Sequence, residues 1–268
     1  MNNVLNVVRA LVGCAFLAQT ATAGDWTGVD DFESHNDGDL VTKTQSWRPV
    51  ASFEQAKIVM LEDGNHVAQI GPGQAIATNA TQGNLSIPEG ATGVIYLKFR
   101  SLSDSRYWGG AFGMTSRLPQ SEDGINAGWT LGNPDQGSRP NATFAVLGET
   151  PNDLILVNNR GRMNKSYGDA APEIKPDVWY DLWVTIDNSR DEISMYIQGG
   201  DFKKRTELTH FRKSENNAFP FQTASASDLT QFVIMNPTAG TDYNPRSIQV
   251  DDINVILHSS PSAIASGH

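Results

Sequence analysis

The chain has 268 residues, 20 lysines and arginines against 30 aspartates and glutamates, and a single cysteine. This length suffices for one large domain or two small ones, and the acidic balance argues against nucleic acid or an anionic membrane as the main partner. One thiol makes no internal disulfide and no cysteine-ligated zinc site, so the core must hold the fold.

Met1 to Arg9 reads as a short leader with one positive charge, and the apolar run Ala10–Ala18 is too short to span a bilayer. Ala21-Thr22-Ala23 places small residues where a signal peptidase reads. A signal peptide is expected at 1–23, cut after Ala23, giving a secreted or periplasmic protein. Leu11-Val12-Gly13-Cys14 resembles a lipoprotein acylation box, but Arg9 leaves no hydrophobic region ahead of Cys14. The cut removes Arg9 and no acid, leaving a formal charge of 19 − 30 = −11.

Beyond it, runs rich in Val, Ile, Thr, Tyr, Phe and Trp alternate with turn clusters such as EDGN, GPGQ and PEGATG. Strands are expected at Lys57–Leu61, His66–Ile70, Gly93–Arg100, Trp108–Thr115, Ala127–Leu131 and Thr143–Leu147. Further strands are expected at Asp153–Val157, Trp179–Asp187, Glu192–Gln198, Gln231–Met235 and Ser247–Leu257. Without alternating helices, this spacing indicates an all-β antiparallel sandwich or barrel. One domain over 24–258 and a frayed tail at 259–268 follow, and a monomer is expected. Two segments carry the clearest alternation. In Val94–Arg100, Ile95, Leu97 and Phe99 form one face, and Tyr96, Lys98 and Arg100 form the other. In Trp179–Gln198, Leu182, Val184, Ile186, Ile193, Met195 and Ile197 form an aliphatic face around a turn at Asn188–Asp191, with Trp183 and Tyr196 opposite.

The stretches VDDFESHNDGDLVTKTQSW (29–47), HVAQIG (66–71), VWYDLWVTIDNSRDEISMYIQGG (178–200) and IQVDDINVI (248–256) resemble strands of secreted bacterial domains of the concanavalin A-like lectin/glucanase superfamily, which includes laminin-G-like modules. The resemblance implies a jelly roll of two antiparallel sheets, with a concave inner sheet that members use to bind or cleave polysaccharides. The catalytic signatures of its enzyme branches are absent. No E-x-D-x-x-E strand occurs, and Asp181 and Asp187 are six residues apart, far beyond the carboxyl spacings of about 5–9.5 Å that glycosidases use. Where the lyase strand reads Q-I-H, the chain has Gly71 after Gln69-Ile70.

On this basis a glycan is expected to lie against Gln69, Tyr96, Lys98, Arg100, Trp183, Tyr196 and Gln198, with aromatic rings stacking on sugars and polar groups fixing hydroxyls or uronate carboxylates. The alternative is an ordinary solvated sheet face, in a non-catalytic surface protein. A lyase would draw its acid and base from Tyr96, Tyr196 and His66, and its charge stabilisers from Arg100 and Lys98. A glycoside hydrolase remains a further alternative. The acids near the two ends, Asp31 and Glu33 with Asp251 and Asp252, would come together if the first and last strands pair, and would then suit a structural Ca²⁺.

Overall fold

The computed structural model describes residues 26–50, 54–79, 85–102, 110–116, 118, 142–148, 154–158, 173–208, 218–221, 224–236 and 247–258. The leader at 1–23, the strand expected at Ala127–Leu131 and the tail at 259–268 lie outside them. Among the described residues the strands are β1 (Thr27–Asp30), β2 (Trp47–Pro49), β3 (Lys57–Met60), β4 (His66–Ile70), β5 (Gln74–Thr78), β6 (Thr92–Ser101), β7 (Gly110–Thr115) and β8 (Ala142–Gly148). They continue with β9 (Leu154–Asn158), β10 (Glu173–Ile174), β11 (Tyr180–Asp187), β12 (Glu192–Gly199), β13 (Phe202–Leu208), β14 (Phe219–Pro220), β15 (Gln231–Asn236) and β16 (Ile248–His258). The helical content among the described residues is one 3-10 turn at Val41–Lys43, and no helix there is long and apolar enough to cross a membrane.

The strands form a two-sheet antiparallel sandwich. The nine-stranded sheet runs β13-β12-β11-β6-β16-β4-β3, with β1 beside β16 and β14 beside β12; the seven-stranded sheet runs β10-β9-β8-β7-β15-β5-β2. The first and last strands are neighbours, as expected: Thr27 faces Val255 and Gly28 faces Asn254. Alternation explains the layering. Ile95, Leu97 and Phe99 of β6 and Leu182, Val184 and Ile186 of β11 are buried in one core with Phe112, Phe232 and Ile234 of the other sheet. Phe99 meets Phe112 across the sandwich at 5.9 Å between ring centroids. Each such aliphatic or aromatic side chain contributes about 1.5–3 kcal/mol by leaving water, which decides which face turns inward.

The two sheets differ in their second faces. On β15, Phe232 and Ile234 point into the core, while Val233 and Met235 point away from it and are equally buried. Their cross-strand partners Ala77 and Ala75 on β5 are buried too. In the larger sheet the outward residues of β6, β11 and β12 are only half buried. The half-open face therefore belongs to the sheet that carries both ends of the described chain.

Three elements depart from the expected pattern. Lys203-Lys204-Arg205, where no strand was expected, lies in the edge strand β13. Its charges protect the sheet edge from further pairing and hide its period of two. The strand β5, QAIAT, is buried almost throughout and so shows no alternation. The strand β2 is three residues long and ends at Pro49.

Candidate functional site

The outward residues of the larger sheet fall into three cross-strand rows. In the first, Glu207, Tyr196, Trp183, Tyr96 and Asn254 are successive partners on β13, β12, β11, β6 and β16. In the second, Gln198, Asp181, Lys98 and Asp251 are aligned on β12, β11, β6 and β16. In the third, Arg100, Gln249, Gln69 and Lys57 are aligned on β6, β16, β4 and β3. All seven residues expected to line a glycan site thus share one face, because all lie at outward positions of adjacent strands.

The first row is an aromatic ridge. Tyr96 and Trp183 have centroids 5.3 Å apart at 43°, and Trp26, just ahead of β1, meets Tyr96 edge-on at 6.0 Å. Trp26 is 45% exposed, among the most open of the large apolar side chains described. The Arg205 guanidinium lies 4.7 Å from the Trp183 ring centroid and 4.6 Å from that of Tyr196. Such contacts contribute about 0.5–1.5 kcal/mol each. Sequence analysis singled out neither Trp26, a lone aromatic near the expected cleavage point, nor Arg205, which lies in a run of charges.

The polar groups engage one another. Tyr96 donates its hydroxyl to Asp181 Oδ1 at 2.7 Å. Lys98 Nζ lies 2.5 Å from Asp252 Oδ2. Arg100 Nε donates to Gln249 Oε1 at 2.5 Å, and Gln249 Nε2 donates to Gln69 Oε1 at 2.8 Å. The Arg100 guanidinium also sits 4.9 Å from the Trp179 ring. Tyr196 reaches Glu207 at 3.4 Å, a long contact.

These partners decide what the titratable groups can do. Partial burial, then the Asp181 carboxylate, holds the Tyr96 phenol far above the ordinary tyrosine range. Burial, followed by Glu207, raises Tyr196 as well. Neither phenol is poised to become a base, and the Tyr96 proton is directed at Asp181 rather than outward. The hydrogen bond to Asp252 raises Lys98 and keeps it charged. His66 is the candidate that does not join the face: it shares strand parity with the buried Ala68 and Ile70, and its Nδ1 lies 3.5 Å from Glu33 Oε2. Asp181 and Asp187 share the outward side of β11 about 20 Å apart along the strand, and Asp187 is bound by Ser189 and Arg190 of its own turn.

The four acids considered for a metal do not form a ligand set. Asp31 is exposed after β1 and accepts the Glu33 backbone N–H at 3.2 Å. Glu33 is tied to His66. Asp251 accepts from Asn65 Nδ2 at 2.9 Å and from the Asp252 N–H at 2.7 Å. Asp252 is held by Lys98. Among the described residues, no group of three His, Cys, Asp or Glu side chains is placed to hold a metal ion. Of the four acids expected to suit a structural Ca²⁺, Asp251 and Asp252 stand beside the ammonium of Lys98.

No protein-family model matches the chain, and no curated protein matches it. Among solved structures, winged bean acidic lectin complexed with methyl-alpha-D-galactose is similar at 11% identity and a TM-score of 0.46, covering 88% of this chain and 100% of the lectin. Arcelin-5, a lectin-like defense protein from Phaseolus vulgaris, is similar at 13% identity and a TM-score of 0.42, over 80% of this chain and 92% of its own. The catalytic domain of a glycoside hydrolase family 131 protein from Coprinopsis cinerea is similar at 8% identity and a TM-score of 0.41, over 88% and 91%. The sandwich of two antiparallel sheets expected from the sequence is the fold found.

Proposed function

We propose that this chain is an exported polysaccharide-binding protein that holds a glycan against the half-open face of its larger sheet and performs no chemistry on it. The observation that carries this reading is the ridge Trp26–Tyr96–Trp183–Tyr196, flanked by the amides of Gln198, Asn254, Gln249 and Gln69. Aromatic rings at the spacing of neighbouring strands suit the apolar faces of consecutive sugar rings, and side-chain amides both donate to and accept from hydroxyls. Proton transfer has less support, since the Tyr96 hydroxyl is committed to Asp181, and Asp181 and Asp187 lie about 20 Å apart along β11.

Electrophoresis of the chain without residues 1–23 through gels containing glucans, pectin, alginate, ulvan or glycosaminoglycans tests this. Retardation is expected in at least one gel, with no new reducing ends and no ultraviolet absorbance from unsaturated uronates. Trp183→Ala should weaken that binding about fivefold, the worth of one lost stacking contact of about 1 kcal/mol. Product formation, or binding untouched by Trp183→Ala, would overturn the proposal.

A further inference from the structure

The outward face has a charge pattern that selects among glycans. On the aromatic ridge and in the row beside it, the carboxylates Asp181, Asp251, Asp252 and Glu207 stand against the cations Lys98 and Arg205. Both cations are already engaged: Lys98 lies on Asp252 at 2.5 Å, and Arg205 is stacked over Trp183 and Tyr196. In the third row Arg100 is held by Gln249 and Trp179. Lys57 ends that row on β3, four strands from Trp183, or about 19 Å at the usual strand spacing. Among the described residues, a uronate seated on the ridge would meet these acids first and would have to displace an internal partner to reach Lys98 or Arg205. A neutral sugar would meet rings, amides and carboxylate acceptors, which suit hydroxyl donors.

Resting on the proposal that this face binds glycans, we infer that its ligand is an uncharged polysaccharide, and that Asp252 enforces the choice by occupying Lys98. Asp252 sits at a bulge in β16 with φ 49°, where an asparagine is also tolerated, so Asp252→Asn frees the lysine without disturbing the strand.

The test uses a matched pair of ligands, a polyuronate and the same polymer with its carboxyl groups chemically reduced to alcohols, titrated against the chain at low salt. The reduced polymer is expected to bind at least about fivefold more tightly, the effect of one like-charge contact near the surface. Asp252→Asn is expected to narrow that gap by strengthening binding of the parent polyuronate. Tighter binding of the polyuronate by the unaltered chain, or a gap that Asp252→Asn leaves unchanged, overturns the inference and leaves the face intact as a binding surface. Binding that Trp183→Ala does not weaken places the ligand elsewhere and overturns both.

Discussion

Tyr96 lies where three influences meet: it is packed between Trp26 and Trp183, half buried, and hydrogen bonded to Asp181. Its phenol is raised by burial and then by that carboxylate, as Tyr196 is by burial and Glu207. Raised groups stabilise the fold below the unfolded pKa and lose that contribution as pH rises above it. Stability should therefore fall above about pH 10, where tyrosines of the unfolded chain ionise. Tyr96→Phe should lower stability at neutral pH by about 1 kcal/mol, the net worth of its hydrogen bond, and should make the alkaline decline shallower. Denaturant midpoints measured from pH 7 to 11 check both; an alkaline limb as steep in the variant would show that Tyr96 does not govern it. The outward position of this residue was legible in the sequence, because its neighbours Ile95 and Leu97 fix the parity of the strand. Its partner was not legible, because Asp181 lies 85 residues later and only the register of β6 on β11 brings it near.

The element that shapes the face is the bulge in β16. Asp251 faces Lys98 and Asn254 faces Tyr96, so Asp252 and Ile253 on β16 span what Leu97 alone spans on β6. The extra residue turns both Asp251 and Asp252 toward the lysine and returns Ile253 and Val255 to the core. A phase slip in the sequence marks it: buried apolar residues occupy 248 and 250, then 253 and 255. Continued strict alternation would have placed Ile253 and Val255 outside, so the slip could have been read as a bulge. What alternation could not supply was the left-handed conformation of Asp252. Asp252→Val should cost about 1–3 kcal/mol, since a β-branched residue strains at positive φ, whereas Asp252→Asn should stay within about 0.5 kcal/mol. Thermal unfolding of the two variants distinguishes a conformational demand from loss of the Lys98 ion pair, which both remove. A second conformational demand closes β12. Gly199 has φ 128°, and a Cβ there would lie 2.5 Å from the Trp179 carbonyl oxygen. The Gly-Gly pair that ends the hairpin segment is thus required where the chain turns close over Tyr180.

At the scale of the whole molecule, strand order differs from chain order. The most central pairing of the larger sheet joins β6 to β16, so Ser101 faces Ile248 and Tyr96 faces Asn254. The strand β1 has its place only against β16, with Thr27 on Val255. A sheet assembled this way closes long loops before its contacts form, which predicts refolding on the slow side of the single-domain range, milliseconds to seconds or longer. It also predicts that stability is not graded along the chain. Ending the chain after residue 246 removes β16, leaves β1 without a partner in the sheet, and separates β6 from β4. The hairpin β11–β12 with β6 would retain its aliphatic face but lose Val250, Ile253 and Val255 from the core it packs into. The truncated chain should therefore show no cooperative thermal transition, while retaining the tryptophans that report on one. A sharp transition in that truncation would mean that β6, β11 and β12 fold as a unit of their own. The binding face would then be built on a three-strand platform rather than on the closed sandwich.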